Sequence, residues 1–204
     1  MSPDPHDDPV PDHPARADHP YFALARGLVP GLDFRPVGEA DWPFVRRVFD
    51  TFRGAELTGI PQPVLGQILD MQWRVQRTGW ETVFPGAWID LLLLHGEPVG
   101  YQVLDVLSRA SRIQGVEIAL LPDRRGGGVA VGVLRALRRT ADLLGRPVHI
   151  HHHQDNPVRR ITARLGWREC GRHGPMVELR YPPAGDDGAA PDPAAAPTGT
   201  ERHG

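Results

Sequence analysis

The sequence predicts a single α/β domain in which a mixed central β-sheet is flanked by about four helices. Three observations carry that prediction. Hydrophobic spacing switches between helical and alternating periods along the chain, giving the order β-α-α-β-β-β-α-β-α-β-β. The 204 residues are 40% hydrophobic and 24% charged, the balance of a globular protein with a buried core. Both ends are poor in side chains worth burying: "MSPDPHDDPVPDHPARADHP" opens the chain and "PAGDDGAAPDPAAAPTGTERHG" closes it. Such compositions cannot offset the entropy of ordering. The domain is therefore expected at residues 29–182, between disordered tails at 1–28 and 183–204.

The elements follow in order. "LDFRPV" is a short β-prone run, and "GEADW" reads as a helix start. From 40 to 52, Phe44, Val45, Val48, Phe49 and Phe52 recur at the spacing of a buried helical stripe. Gly54 and the Gly59-Ile60-Pro61 stretch interrupt it. A second helix is expected over 63–78, with Leu65, Ile68, Leu69 and Trp73 inward and Gln72 and Gln76 on a neighbouring face. The period then changes: "AWIDLLLLHGEPVGYQVLDVL" is two β-runs around a His-Gly-Glu-Pro turn, and 111–121 is a third run ended by Pro122. A helix over 129–144 buries Ala130, Val133, Leu134, Leu137, Ala141 and Leu144 and wets Arg135, Arg138, Arg139 and Asp142. "GRPVHIHHH" is a strand after a Gly145 stop. "NPVRRITARLGW" is a short helix with Asn156 as N-cap and Pro157 at its first position. Two strands in "WREC…MVELRY" complete the sheet.

Composition excludes several function classes. A formal charge of −2 argues against a dedicated nucleic-acid binder, whose domain is usually basic. No apolar run approaches the ~20 residues of a bilayer span, so no membrane partner is expected. The first residues are acidic and lack an apolar signal core, which makes a cytoplasmic location the expectation. The single Cys170 excludes an internal disulfide. All 23 basic residues are arginine, which base composition explains and which leaves the chain no lysine amine to be modified.

The stretch with most chemical content is "LLPDRRGGGVAVGVLRALRRTADLL". A Walker-type phosphate loop needs a lysine and is ruled out. A dinucleotide fingerprint fails in its third glycine position and in its distance from the strand. General physics remains: glycines let a ligand approach the backbone, the first N–H groups of a helix lack partners, and the helix dipole favours anions. Arg124 and Arg125 add permanent positive charge. The turn is thus a candidate pyrophosphate cradle; the alternative is a flexible connector with two solvated arginines.

That stretch resembles motif A of the GNAT superfamily of acyl-CoA N-acyltransferases, Arg/Gln-x-x-Gly-x-Gly/Ala, with Arg125, Gly128 and Ala130 in the three places. "QDNPVRRITARLGWREC" resembles the superfamily's motif B, Asn-Pro-x-x-x-x-Tyr-x-x-x-Gly-Phe, through Asn156, Pro157, Gly166 and an aromatic Trp167. The resemblance implies a GNAT fold and an enzyme that transfers an acetyl or other acyl group from acyl-CoA to a primary amine. It implies acetyl-CoA as co-substrate, its pyrophosphate on the backbone of Arg125, Gly126, Gly127, Gly128, Val129 and Ala130. The pantetheine arm would run along Ile118, Ala119 and Leu120, with Asn156 hydrogen-bonding it and a main-chain donor near Leu120 meeting the thioester carbonyl. The acceptor would be a small-molecule amine or a protein N-terminus. No sequence pattern fixes an oligomeric state; a homodimer is carried as one option.

The chain departs from motif B at Thr162, where the family has a tyrosine near the departing sulfur. Threonine is a weaker acid, but a thiol with a pKa near ~8.5 leaves as thiolate with little help, directly or with Thr162 as relay. The alternative is a GNAT-like domain that binds acyl-CoA as a sensor without turnover. An amine near pKa ~10.4 must lose a proton before attack, so a base is needed. Glu117 is the first candidate; its other reading is a strand carboxylate paired with an arginine. Alternation places His149, His151 and His153 on one face of their strand, His151 or His153 being candidate proton relays. A metal there is not expected, because three histidines along one strand span too far for one ion. Glu56, Gln72 and Gln76 are candidate acceptor-binding residues or else packing. Cys170 lies beyond both motifs, so direct attack in a ternary complex is expected.

Overall fold

The computed structural model describes residues 16–55, 57, 59–106 and 111–182. The expectations for residues 1–15, 183–204 and Glu56 lie outside the described residues. Seven strands form one mixed sheet: β1 Leu32–Pro36, β2 Trp88–Leu94, β3 Glu97–Asp105, β4 Ile113–Leu120, β5 Val148–His153, β6 Arg168–His173 and β7 Met176–Tyr181. Their order is β1-β2-β3-β4-β5-β7-β6. Five helices flank it: α1 Pro20–Leu28, α2 Trp42–Gly54, α3 Gln62–Val83, α4 Val129–Leu144 and α5 Val158–Arg164. The expected α/β class and element order hold, with one helix more than the four expected.

That extra helix corrects the N-terminal boundary. Residues 20–28 are not a tail, because Tyr21, Phe22 and Ala25 are buried in the main core. Pro20 occupies the first turn, where its missing N–H costs nothing, and His19 accepts a hydrogen bond from the Tyr21 N–H. Phe22 packs edge-on against Phe34, and Tyr21 donates to buried Gln102. Nine residues behind a proline-rich lead carry too little periodicity to stand out.

α1 also explains a difference in the buried face of α4. Leu144, expected inside, is exposed, whereas Gly132, Ala136 and Thr140 are buried. Docking of α1 widens the covered face of α4 on that side. A Cβ at Gly132 would lie 2.0 Å from Val29 Cγ2, so the two segments approach as closely as only glycine permits. α3 outruns its expected end at 78 and continues through Gly79, because Trp80 is buried against Trp42, Trp73 and Tyr101.

Two cores result. α1, α4 and α5 cover one face of the sheet with Phe22, Leu104, Ile113, Val133, Leu137, Val148, Ile150 and Trp167. α2 and α3 cover the other face through Val45, Val48, Trp80, Leu91, Tyr101, Val103 and Ala119. β4 and β5 are parallel and pair only at Ile113, Gln114 and Gly115 with Val148, His149 and Ile150. Beyond that point β4 stays with β3 as far as Leu120, and β5 stays with β7 as far as His153. The sheet is therefore split by a wedge that opens toward the C-terminal ends of both strands.

Candidate active site

One edge of β4 is left unpaired by this split. Residues 117–120 pair with β3 on one side and have no strand pairing with β5 on the other. Leu121 N–H donates to Val99 O and Leu120 O accepts from Arg125 Nε, so the strand end is held from both directions. A 3₁₀ turn, Pro122–Arg124, then leads into the glycines. Parallel strands put the segments that follow β4 and β5, with the glycine turn and Asn156, at the same end of the sheet.

The turn is built for backbone exposure. Gly126 and Gly128 have φ of 82° and 85°, the left-handed region where a side chain is strained. Apart from the adjoining residues, no atom of the described residues lies within 4 Å of where a Cβ would stand at Gly126, Gly127 or Gly128. The first hydrogen bond of α4 runs from Gly132 N–H to Gly128 O, and the N–H groups of residues 126–131 donate to no described backbone carbonyl. Arg125 is different: its N–H donates to Pro122 O and its guanidinium caps β4. The run of N–H groups without a backbone partner among the described residues thus starts at Gly126 and takes in Gly127, Gly128, Val129 and Ala130, and Arg125 braces its start. α4 carries no acidic residue in its first turn, so its positive end is uncompensated.

Asn156 behaves as the helix cap expected of it, though α5 begins one residue later than expected. Its Oδ1 accepts from Val158 N–H at 3.0 Å. It lines a groove of about 800 Å³ together with Arg159, Arg160, Thr162, Trp167 and His152. Thr162 requires a correction. Its side chain is buried and its hydroxyl donates back to Val158 O and Arg159 O, so the O–H is spent on the helix rather than offered to a leaving thiol.

Glu117 lies on the α2/α3 face of β4, across from Val103. Its Oε1 accepts from Tyr101 Oη at 2.8 Å and its Oε2 from Gln76 Nε2 at 2.9 Å. Burial raises its pKa; the Tyr101 hydrogen bond and the nearby Arg53 charge oppose that shift only in part. The phenol of Tyr101 is pushed well above its ordinary range by burial and by the Glu117 charge. Both of these hydrogen-bond partners are neutral, and Arg53 acts on the carboxylate through its charge. One turn from Gln76, the buried Oε1 of Gln72 has no hydrogen-bond partner among the described residues. Tyr101 was not foreseen, since nothing local marks it; only the β3–β4 register brings it to Glu117.

His151 is held elsewhere. Its Nδ1 faces Gln114 Nε2 at 3.3 Å and its Nε2 lies 3.8 Å from Glu178 Oε1. The Gln114 amide is a donor, which leaves the proton of a neutral ring on Nε2. Burial lowers its pKa, and the charges acting on it are those of Glu178, Arg112, His149 and His173, not Glu117. His149 Nδ1 bonds the same carboxylate at 2.8 Å. His149, Cys170 and Glu178 have ligand atoms within 4.8 Å of one another, a grouping that a strand-by-strand reading missed. The Arg112 guanidinium stands 3.6 Å from Glu178, so the carboxylate already has a cation beside it. Burial pushes the Cys170 thiol up to about 11, which leaves it a poor nucleophile.

No protein-family model and no curated protein sequence matches the chain. Solved structures do. The chain is similar to an acetyltransferase from Thermus thermophilus, at 25% identity and a TM-score of 0.53 over 74% of this chain and 97% of that one. It is similar to the PaiA N-acetyltransferase of Thermoplasma acidophilum in complex with coenzyme A, at 11% identity and a TM-score of 0.56 over 73% and 97%. A GCN5-related N-acetyltransferase from Rhodopseudomonas palustris matches at 16% identity and a TM-score of 0.51 over 74% and 94%. Among the described residues no helix is long and apolar enough to cross a membrane.

Proposed function

From the premise that this chain has the GNAT fold, we propose that it is an acyl-CoA-dependent N-acyltransferase acting on a primary amine. The observation that carries the reading is the wedge: an unpaired β4 edge that ends in six consecutive N–H groups without a backbone partner among the described residues. A diphosphate is the ligand such a run of donors at a helix start suits best. An extended amide-bearing arm is what an open strand edge suits. Acetyl-CoA has both, and acetyl is the acyl group we assign.

The chain's own groups then divide the work. Gly126, Gly127, Gly128, Val129 and Ala130 hold the diphosphate, Arg125 braces the turn, and the edge at Ile118, Ala119 and Leu120 takes the arm. Asn156 has an Nδ2 still to offer the arm while its Oδ1 caps α5. Glu117, with its raised pKa, accepts the ammonium proton, directly or through water, and so frees the lone pair for attack on the thioester carbon. The new C–N bond replaces the C–S bond, the nitrogen gives up its second proton to water, and the sulfur leaves as thiolate, a route open to a thiol with a pKa near ~8.5. Tyr101 and Gln76 orient Glu117, and Gln72 offers an acceptor toward the amine. His151, bound up with Glu178, has no step in this scheme.

The test is titration of the protein with acetyl-CoA, followed by a thiol-release assay against a panel of amines. Binding with turnover supports the proposal. Tight binding with no turnover for any amine would favour the sensor reading, and no binding would remove both.

A further inference from the structure

Away from the wedge, three donors of different chemistry meet on one patch of the sheet. His149 and Glu178 share a face of the neighbouring antiparallel strands β5 and β7, diagonal to each other because Glu178 pairs with His151. Cys170 joins them from β6 through a bulge. Glu169 pairs with Leu179 and Gly171 with Glu178, so Cys170 is the extra residue between them. A bulge re-aims a side chain, and the Cys170 Sγ stands 3.8 Å from Glu178 O. At Gly171 a Cβ would lie 2.9 Å from Glu178 Oε2, so a side chain there would crowd the carboxylate. One ligand atom each of His149, Cys170 and Glu178 lies within 4.8 Å of the other two. Ligand atoms at about 2.0–2.3 Å from one tetrahedral ion stand about 3.3–3.8 Å apart, so a closure of about 1 Å would seat it.

We propose that His149, Cys170 and Glu178 bind a zinc-class divalent ion, with water in the fourth position. A thiolate beside an imidazole selects such an ion over magnesium or calcium, which take oxygen ligands. The expectation against a metal rests on the three histidines of β5 as one set, whereas these donors come from three strands. Cys170 is exposed and gives the ion its way in, while the side chains of His149 and Glu178 are 13% and 8% exposed. The buried Nε2 of His151 has no hydrogen-bond partner among the described residues and stands 3.8 Å from Glu178 Oε1, which makes it the donor for that water. The thiol proton passes to solvent as the ion binds. Thiolate and carboxylate then neutralise the ion, and Arg112, 3.6 Å from Glu178 Oε1, stays as the carboxylate's outer partner. The charges of Arg112 and Arg180 both act on this patch and hold the affinity to the micromolar range. The inference is independent of the acyl-transfer reading.

The test uses the untagged full-length chain, stripped of metal with a chelator. Titration calorimetry is expected to show one equivalent of zinc bound and no uptake of magnesium. Loading with cobalt(II) reads the ligands: a thiolate ligand gives a near-ultraviolet charge-transfer band, and a tetrahedral site gives intense visible bands. Cys170→Ser and His149→Asn are each expected to weaken zinc at least about tenfold, and Cys170→Ser to abolish the charge-transfer band. Zinc should raise the melting temperature of the wild type and not of Cys170→Ser. His153→Ala, at an exposed histidine of β5 outside the set, is expected to bind zinc like the wild type. Unchanged far-UV circular dichroism checks that each variant folds. No zinc uptake, or a cobalt spectrum without the thiolate band, overturns the proposal. Zinc affinity that either ligand variant leaves intact also overturns it, as adventitious binding to other histidines.

Discussion

Replacing Gly127 by Glu isolates the diphosphate cradle from the stability of the fold. Gly126 and Gly128 cannot serve, because their left-handed φ angles make any side chain a backbone problem first. Gly127 is flanked by both yet adopts an ordinary φ, and a Cβ there meets nothing within 4 Å. A glutamate at 127 leaves the fold intact and puts one negative charge where two phosphates are to sit. With the carboxylate about 5 Å from each phosphate and an effective dielectric of about 40, each repulsion is about 1.7 kcal/mol. Two such terms, lessened as the side chain swings outward, come to about 3 kcal/mol, or roughly a hundredfold in affinity. Isothermal titration calorimetry with acetyl-CoA reads this directly. The loss should shrink as salt is raised, because the interaction is solvent-exposed. Gly127→Ala controls for bulk and should bind within a few-fold of wild type, whereas Gly128→Ala should lose about 1–2 kcal/mol of folding stability. Wild-type affinity in Gly127→Glu would refute the cradle, since a bound diphosphate could not ignore the charge.

Three further outcomes follow from the site and its supports. Glu117→Gln should slow turnover by about 10²–10³ near neutral pH and by less at high pH, where the amine is free without help; a pH-independent deficit would remove Glu117 as the base. Because burial raises the Glu117 pKa, its ionisation costs stability once pH climbs past the unfolded value near 4.5, and the cost is complete above the folded value. Glu117→Gln should therefore melt above wild type at about pH 8, with the gap closing by about pH 4. Thr162→Val should keep turnover within about twofold while losing about 1 kcal/mol of stability, since the hydroxyl bonds only its own helix; a tenfold loss of kcat would restore a relay role. Gly132→Leu should force α1 away from α4 and lower stability by about 2–3 kcal/mol in urea titration, with no comparable loss expected if residues 20–28 were dispensable to the core.

How far the molecule was legible beforehand differs from element to element. The order of strands and helices from Leu32 to Tyr181, the alternation of β5, the helix after the glycine turn and the Asn156 cap are all local matters. Each rests on a backbone period or a terminal hydrogen bond within a few residues, which the chain displays directly. What the sequence by itself determined is therefore this series of elements, with glycines at the turn that opens α4. The helix at 20–28 was hidden because its burial depends on α4, more than a hundred residues away in the chain. Glu117 was legible as a carboxylate on the strand feeding the turn, but its partners Tyr101 and Gln76 stand 16 and 41 positions away. Only strand register and helix docking decide such pairings, and with them the raised pKa. The same holds for His151, which stands opposite Glu178 on β7, whereas the hydroxyl of Thr162 bonds only within its own helix. The wedge too belongs to tertiary structure: β4 and β5 separate because each keeps its other neighbour, a choice among competing long-range contacts that no local pattern encodes.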